Sequence, residues 1–136
     1  MTEWTGRCAC GAIRFSCDAD PALMVKCHCR DCQRSGGGAY AAIVAFPKAA
    51  VALQGEPRYY GVTGGSGNAI ERGFCATCGS PVTVKLGLNP DVLGFHAGSL
   101  DEPARFKPGL ELFTSSAQPW DLMDAETPKK ARGFRD

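Results

Sequence analysis

Missing from this 136-residue sequence is any apolar run near the roughly 20 residues that a membrane-crossing helix needs, so no membrane role is expected. An excess of one charge is also missing. Lys+Arg number 15 and Asp+Glu 14, a formal net charge of +1. A dedicated nucleic-acid binder carries a marked basic excess, so no nucleic-acid partner is expected. The opening Met1-Thr2-Glu3-Trp4-Thr5-Gly6-Arg7 has no apolar stretch of signal-peptide type, which makes a reducing cytoplasm the expected compartment. Histidine is scarce. His28 and His96 lack the Ser and Asp context of a hydrolytic triad. Helical periodicity is poor throughout, and the length leaves no room for a second core.

What the chain does have is 17 Gly, 9 Pro and 8 Cys. Gly and Pro divide short apolar or alternating runs, a pattern of many short strands. The runs are Ala12–Cys17, Tyr40–Phe46, Val51–Gln54, Arg58–Val62, Ile70–Phe74, Val82–Leu86, Val92–Ala97 and Glu111–Thr114. One helical turn is expected at Arg30–Ser35, stopped by Gly36-Gly37-Gly38. Gly64-Gly65-Ser66-Gly67 lacks the Lys-Ser/Thr ending of a phosphate loop and reads as a hairpin. The expected class is all-β, with one domain over 1–126. Residues 127–136, which carry Lys129, Lys130, Arg132 and Arg135 with little to bury, read as a mobile basic tail.

Seven of the eight cysteines fall in three clusters: Cys8-Ala9-Cys10, Cys27-His28-Cys29-Arg30-Asp31-Cys32 and Cys75-Ala76-Thr77-Cys78. Thiols two or three residues apart are awkward disulfide partners and good chelators. A reducing compartment favours metal over cross-links. Gly79 can take the positive φ of a tight chelating turn. A closed structural zinc site needs four donors, whereas a catalytic one keeps a position open. Seven clustered thiols divide into one set of four and one of three. The alternatives are two closed sites completed by His28 or Cys17, a single zinc, or a redox pair of Cys29 and Cys32. Spacing alone does not say which clusters join. Cys17 shares a strand face with Ile13 and Phe15 and reads as a small buried hydrophobe. His28, between two candidate ligands on an extended segment, points away from them. His96 in Val92-Leu93-Gly94-Phe95-His96 reads as a structural histidine.

Gly6-Arg7-Cys8-Ala9-Cys10-Gly11-Ala12-Ile13-Arg14-Phe15 resembles the opening of the glutathione-dependent formaldehyde-activating enzyme family. Cys27-His28-Cys29-Arg30-Asp31-Cys32-Gln33-Arg34-Ser35-Gly36 is similar to its central element, and Arg72-Gly73-Phe74-Cys75-Ala76-Thr77-Cys78-Gly79-Ser80 to its third. Gly98-Ser99-Leu100-Asp101-Glu102-Pro103 and Pro119-Trp120 resemble later landmarks. Glu111-Leu112 stands about where many members carry a His-Ile pair. The resemblance implies a small zinc-bound β-tent of short twisted antiparallel sheets. It implies two zincs: a structural one on Cys8, Cys10, Cys75 and Cys78, and a catalytic one on Cys27, Cys29 and Cys32. The implied activity is of carbon–sulfur lyase type, in which glutathione and formaldehyde form S-hydroxymethylglutathione.

Three thiolates on a zinc sum to −1, which makes that ion a weak Lewis acid for water and suits it to a soft thiol. Lys26, Arg30 and Arg34 flank the cluster. They could offset its charge or dock a carboxylate of a glutathione-like ligand, or simply form a solvated face. Tyr59, Tyr60 and Trp120 could line a pocket or belong to the core. The rival class is a non-catalytic zinc-binding module that recognises a protein partner.

Overall fold

The computed structural model describes residues 3–64 and 67–134. Its strands are β1 (Trp4–Arg7), β2 (Arg14–Cys17), β3 (Leu23–Cys27), β4 (Ala41–Pro47), β5 (Val51–Gln54), β6 (Arg58–Thr63), β7 (Ala69–Phe74), β8 (Pro81–Leu86), β9 (Val92–His96) and β10 (Leu110–Leu112). The single α-helix among the described residues is α1 (Arg30–Gly36). Cys29 caps its N-terminus and Gly37, at φ 76°, caps its C-terminus by donating its N–H to Gln33 O. A side chain there would strain that left-handed backbone, which is why the glycine run ends the helix.

The strands form two sheets. The smaller has the order β1-β2-β5, and the larger β10-β3-β4-β9-β8-β7-β6. Pairing is antiparallel except at one edge, where β10 lies parallel to β3 with Leu112 beside Cys27. The expected all-antiparallel arrangement therefore needs one correction. A long connection from β9 brings the chain back to that edge in the same direction as β3.

Alternation along the strands makes two apolar layers. Trp4, Phe15, Cys17, Val44, Phe46, Val82, Leu93 and Phe95 fill the space between the sheets. Phe15 stacks on Phe95 with ring centroids 3.9 Å apart. Full burial of such side chains stabilises by about 1.5–3 kcal/mol each. Val25, Cys32, Ala41, Ile43, Val84 and Leu112 form a second cluster, with Cys27 and Cys29 packed against it. In β4, Ile43 faces this cluster while Val44 and Phe46 face the first, so the larger sheet is apolar on both sides here.

The β6–β7 hairpin is present, closed by a pair between Thr63 and Ala69; Gly65 and Ser66 of the expected loop lie outside the described residues. Within the stretch read as a mobile tail, residues 128–132 run alongside β10, and Arg135 and Asp136 lie outside the described residues. Glu111 donates its N–H to Pro128 O, Lys130 to Glu111 O and Phe113 to Arg132 O. Side-chain composition missed this because the contacts are made by backbone. The outer edge of β10 offers donors and acceptors that need partners.

Candidate metal centres

Two turns at one end of the fold supply the first centre. Between β1 and β2, Cys8 donates its N–H to Ile13 O at 3.0 Å, and Gly11 donates to Cys8 O at 3.1 Å. Between β7 and β8, Cys75 donates to Ser80 O at 3.0 Å and Gly79, at φ +77°, donates to Cys75 O at 2.8 Å. The two turns are tied by Ala9 N–H to Ser80 Oγ at 3.1 Å. Their four sulfurs, from Cys8, Cys10, Cys75 and Cys78, lie within 4.8 Å of one another. Cys10 Sγ is 3.7 Å from both Cys8 Sγ and Cys75 Sγ. A tetrahedral zinc with bonds of about 2.3 Å sets neighbouring sulfurs about 3.8 Å apart, so the donor set fits that ion. Ser80, through its hydroxyl and then its backbone, holds the Cys78 thiol down to about 5.

The second centre is local. Cys27 ends β3, Cys29 is the N-cap of α1 and Cys32 lies in its first turn. Cys32 donates its N–H to Cys29 Sγ at 3.3 Å. The three sulfurs again lie within 4.8 Å of one another, and no fourth His, Cys, Asp or Glu joins them among the described residues. The crowding sets their ionisation. The sulfurs of Cys29 and Cys32, and then burial, push the Cys27 thiol above its ordinary value. Hydrogen bonds from Cys27 and Cys32 hold Cys29 down to about 2. Crowding opposes the ionisation of all three at once, so three thiolates require a cation among them. A zinc ion fits this donor set too, with a position to spare.

Arg72 of β7 supplies a fixed positive charge, its Nη2 3.5 Å from Cys32 Sγ. Arg72 is paired through Val84 and Gly94 to the same sheet face as Cys27, so the long strand order carries a distant cation onto the cluster. Sequence spacing could not show this. The flanking cations lie elsewhere. Alternation sends Lys26 to the other face of β3, where its ammonium is 4.7 Å from the centroid of the Tyr40 ring. Arg30 hydrogen-bonds Gln33 Oε1, and Arg34 is exposed in the last turn of α1. Tyr60 and Trp120 are exposed, and Lys85 covers Tyr59 at 4.1 Å. None of these aromatics meets the sulfurs.

His28 is wholly buried and turned away from the sulfurs, its Nε2 2.7 Å from Oε1 of the equally buried Glu111. Asp121 Oδ2 stands 3.5 Å from His28 Nδ1, and Lys129 Nζ 3.8 Å from Glu111 Oε2. Gln33 donates its side-chain amide to His28 O at 2.7 Å and to Ser116 O at 3.0 Å. This network fastens the Cys27–Cys29 loop from behind. Sequence reading missed Glu111, Gln33 and Asp121; the one available signal was a charged residue within the apolar run Leu110-Glu111-Leu112. Cys17 is buried away from both centres, and burial raises its thiol.

The sequence profile of the family described as glutathione-dependent formaldehyde-activating enzyme matches residues 3–116. The chain belongs to that family. Both cysteine centres, Arg72 and Glu111 lie within the matched stretch. No curated protein matches the chain. A solved crystal structure of a Rhodobacter sphaeroides protein superposes with a TM-score of 0.55 at 22% identity, over 93% of this family member and 99% of that chain. That likeness bears on the fold alone. Among its described residues this family member is mostly β with one short α-helix, and two cysteine clusters fit metal ions.

Proposed function

We propose that the protein is a zinc-dependent enzyme of carbon–sulfur lyase type, acting on adducts of glutathione or a similar thiol, with S-hydroxymethylglutathione from formaldehyde as the family's example. Cys8, Cys10, Cys75 and Cys78 hold the structural ion; Cys27, Cys29 and Cys32 hold the catalytic one. The observation that carries this is the convergence of three sulfurs with no fourth protein donor among the described residues. Eight free thiols suit a reducing, cytoplasmic setting.

Bound zinc supplies a soft cation at which an incoming thiol gives up its proton. In the forward direction the substrate sulfur adds to the carbonyl carbon of the aldehyde. A carbon–sulfur bond forms and the carbonyl π pair becomes a hydroxyl, taking up the proton the thiol released. The reverse step breaks that bond and returns the proton to sulfur, so no oxidant or reductant is involved. Arg72 offsets the net −1 of three thiolates and a dication, and orients Cys32. The N–H of Cys32 holds Cys29 at the helix start. Glu111 and Gln33 fix His28 and keep it out of the ligand position.

The test is Cys29→Ser in the full chain. The variant should lose one of two bound metals and the glutathione-dependent consumption of formaldehyde. Equal turnover by variant and parent refutes the assignment. A protein that binds two zincs yet shows no glutathione-dependent change at either is the non-catalytic module.

A further inference from the structure

The family's matched stretch ends at residue 116, yet two of the four ionisable groups lined up behind the three sulfurs come from beyond it. In order they are Lys129, Glu111, His28 and Asp121. Glu111 Oε1 meets His28 Nε2 at 2.7 Å, and Asp121 Oδ2 stands 3.5 Å from His28 Nδ1. Lys129 Nζ stands 3.8 Å from Glu111 Oε2. Glu111 Oε2, His28 Nδ1 and Asp121 Oδ2 are buried and make no hydrogen bond among the described residues. What their outer neighbours supply is therefore charge. A wholly buried carboxylate is costly without a cation nearby. Register sets two lysines beside Glu111: Lys26 on β3, and Lys129 in the C-terminal segment. The Lys26 ammonium goes to the Tyr40 ring, which leaves Lys129, of the two, to reach the carboxylate.

The lysine is itself held in place. Its Nζ donates to Asp124 O at 2.5 Å and to Thr127 O at 2.8 Å, so the turn that carries it also fixes its charge beside Glu111. Backbone pairing secures the same register. Glu111 donates its N–H to Pro128 O at 2.9 Å, and Lys130 donates to Glu111 O at 2.8 Å. The inner end of the line is the backbone between two sulfurs. His28 sits between Cys27 and Cys29 in the chain. Glu111 holds its ring, its N–H donates to Leu112 O at 2.9 Å, and its O accepts from Gln33 Nε2 at 2.7 Å. A shift of that ring carries the sulfurs on either side with it. Groups that orient ligands from behind typically change metal affinity by about 10–100-fold.

We infer that Lys129 is a positioning residue for the three-sulfur centre: its charge keeps the buried Glu111 carboxylate on His28, and so keeps Cys27 and Cys29 converged on Cys32. A segment outside the family's matched stretch thereby completes the centre. The effect on metal rests on the function proposed above; the ordering of the loop does not.

Zinc competition against a chelator, on the full chain, reads the two centres separately. Lys129→Met should weaken zinc at the three-sulfur centre about tenfold and leave the four-sulfur centre unchanged. Lys129→Gln, which can still donate to the two carbonyls, should show the same loss, and Lys129→Arg should recover part of it. In a Glu111→Gln background, Lys129→Met should cost nothing further, because the charge it serves is gone. Amide exchange on the zinc-loaded chain reads the loop whether or not a second ion binds. The His28 N–H should exchange about tenfold faster in Lys129→Met, while the Cys75 N–H, bonded to Ser80 O, keeps the parent's rate. Zinc affinity at the three-sulfur centre within about twofold of the parent, equal weakening at both centres, an undiminished loss in the Glu111→Gln background, or unchanged His28 exchange overturns the inference. A parent that binds a single zinc refutes the second metal centre, and the His28 exchange then decides the inference alone.

Discussion

The four-sulfur centre joins turns 65 residues apart, as between Cys10 and Cys75, whereas the three-sulfur centre takes every donor from positions 27 to 32. Metal in the first closes a long loop and braces the two sheets against each other. Metal in the second closes almost nothing, so its binding energy adds little to the tertiary fold. Under the proposed function, the first centre would serve stability and the second would be open to chemistry. The difference also shows in their surroundings. Backbone turns surround the four sulfurs, while the three have a cation beside them in Arg72 and a buried polar network behind them.

The sharpest way to break this contrast is to remove one sulfur from each. Cys75→Ser should abolish cooperative melting, since structural zinc in small domains is worth on the order of 10 kcal/mol. Cys29→Ser should shift stability by only about 1 kcal/mol, because serine is itself a good helix N-cap. Thermal melts followed by circular dichroism, with metal content measured alongside, check both. Similar melts for the two variants would erase the distinction.

Next comes Glu111→Gln. It replaces the buried carboxylate that meets His28 Nε2 at 2.7 Å with an amide and should cost about 1–3 kcal/mol in urea unfolding. It should also weaken metal at the three-sulfur centre more than at the other. Equal weakening at both would mean that the network supports the fold at large.

His96 gives a pH-dependent prediction. Burial, followed by the Arg72 charge, lowers it from 6.5 to about 4. The unfolded chain takes up a proton below pH 6.5 that the folded chain refuses until about 4. Stability is therefore full above 6.5 and falls as pH drops to 4, by on the order of 3 kcal/mol. Protonation of the thiolates adds to this loss in the parent. His96→Gln removes the histidine share, so the slope difference between variant and parent over that window isolates it. Parallel slopes would contradict it.

Smallest is Arg72→Leu. With the fold retained, kcat/KM for the glutathione reaction should fall about tenfold, equivalent to about 1.4 kcal/mol, and Arg72→Lys should recover part of it. A loss confined to thermal stability would make Arg72 a packing residue.

Much of this was legible before the structure. Val51–Gln54 was read with the observed bounds of β5, and the helix after Cys29 ended at the expected glycines. These signals are local: alternation, Gly and Pro punctuation, and cap chemistry. β1 and β3 were not read as strands. Gly6 interrupts the alternation of β1, where the Phe15 ring takes the place of a side chain. In β3, Leu23-Met24-Val25 is apolar on both faces and shows no period of two. The cysteine clusters were visible, but their pairing needed the family resemblance, because spacing cannot tell which turns meet. Arg72, Glu111 and Asp121 were missed because each acts at a residue far away in the chain. Their roles follow from strand register and chain return, which a single sequence does not display.

The parallel pairing of β10 with β3 has a consequence for biosynthesis. Leu112 lies beside Cys27, and Pro128 to Arg132 close over β10 in turn. The loop bearing Cys27, Cys29 and Cys32 is made well before its backing, which arrives only with residues 110–132. At about 5–20 residues per second, those thiols spend several seconds without their closing edge, exposed to oxidants and stray metals. A nascent chain stalled before residue 110 carries the sulfurs without the strand that frames them.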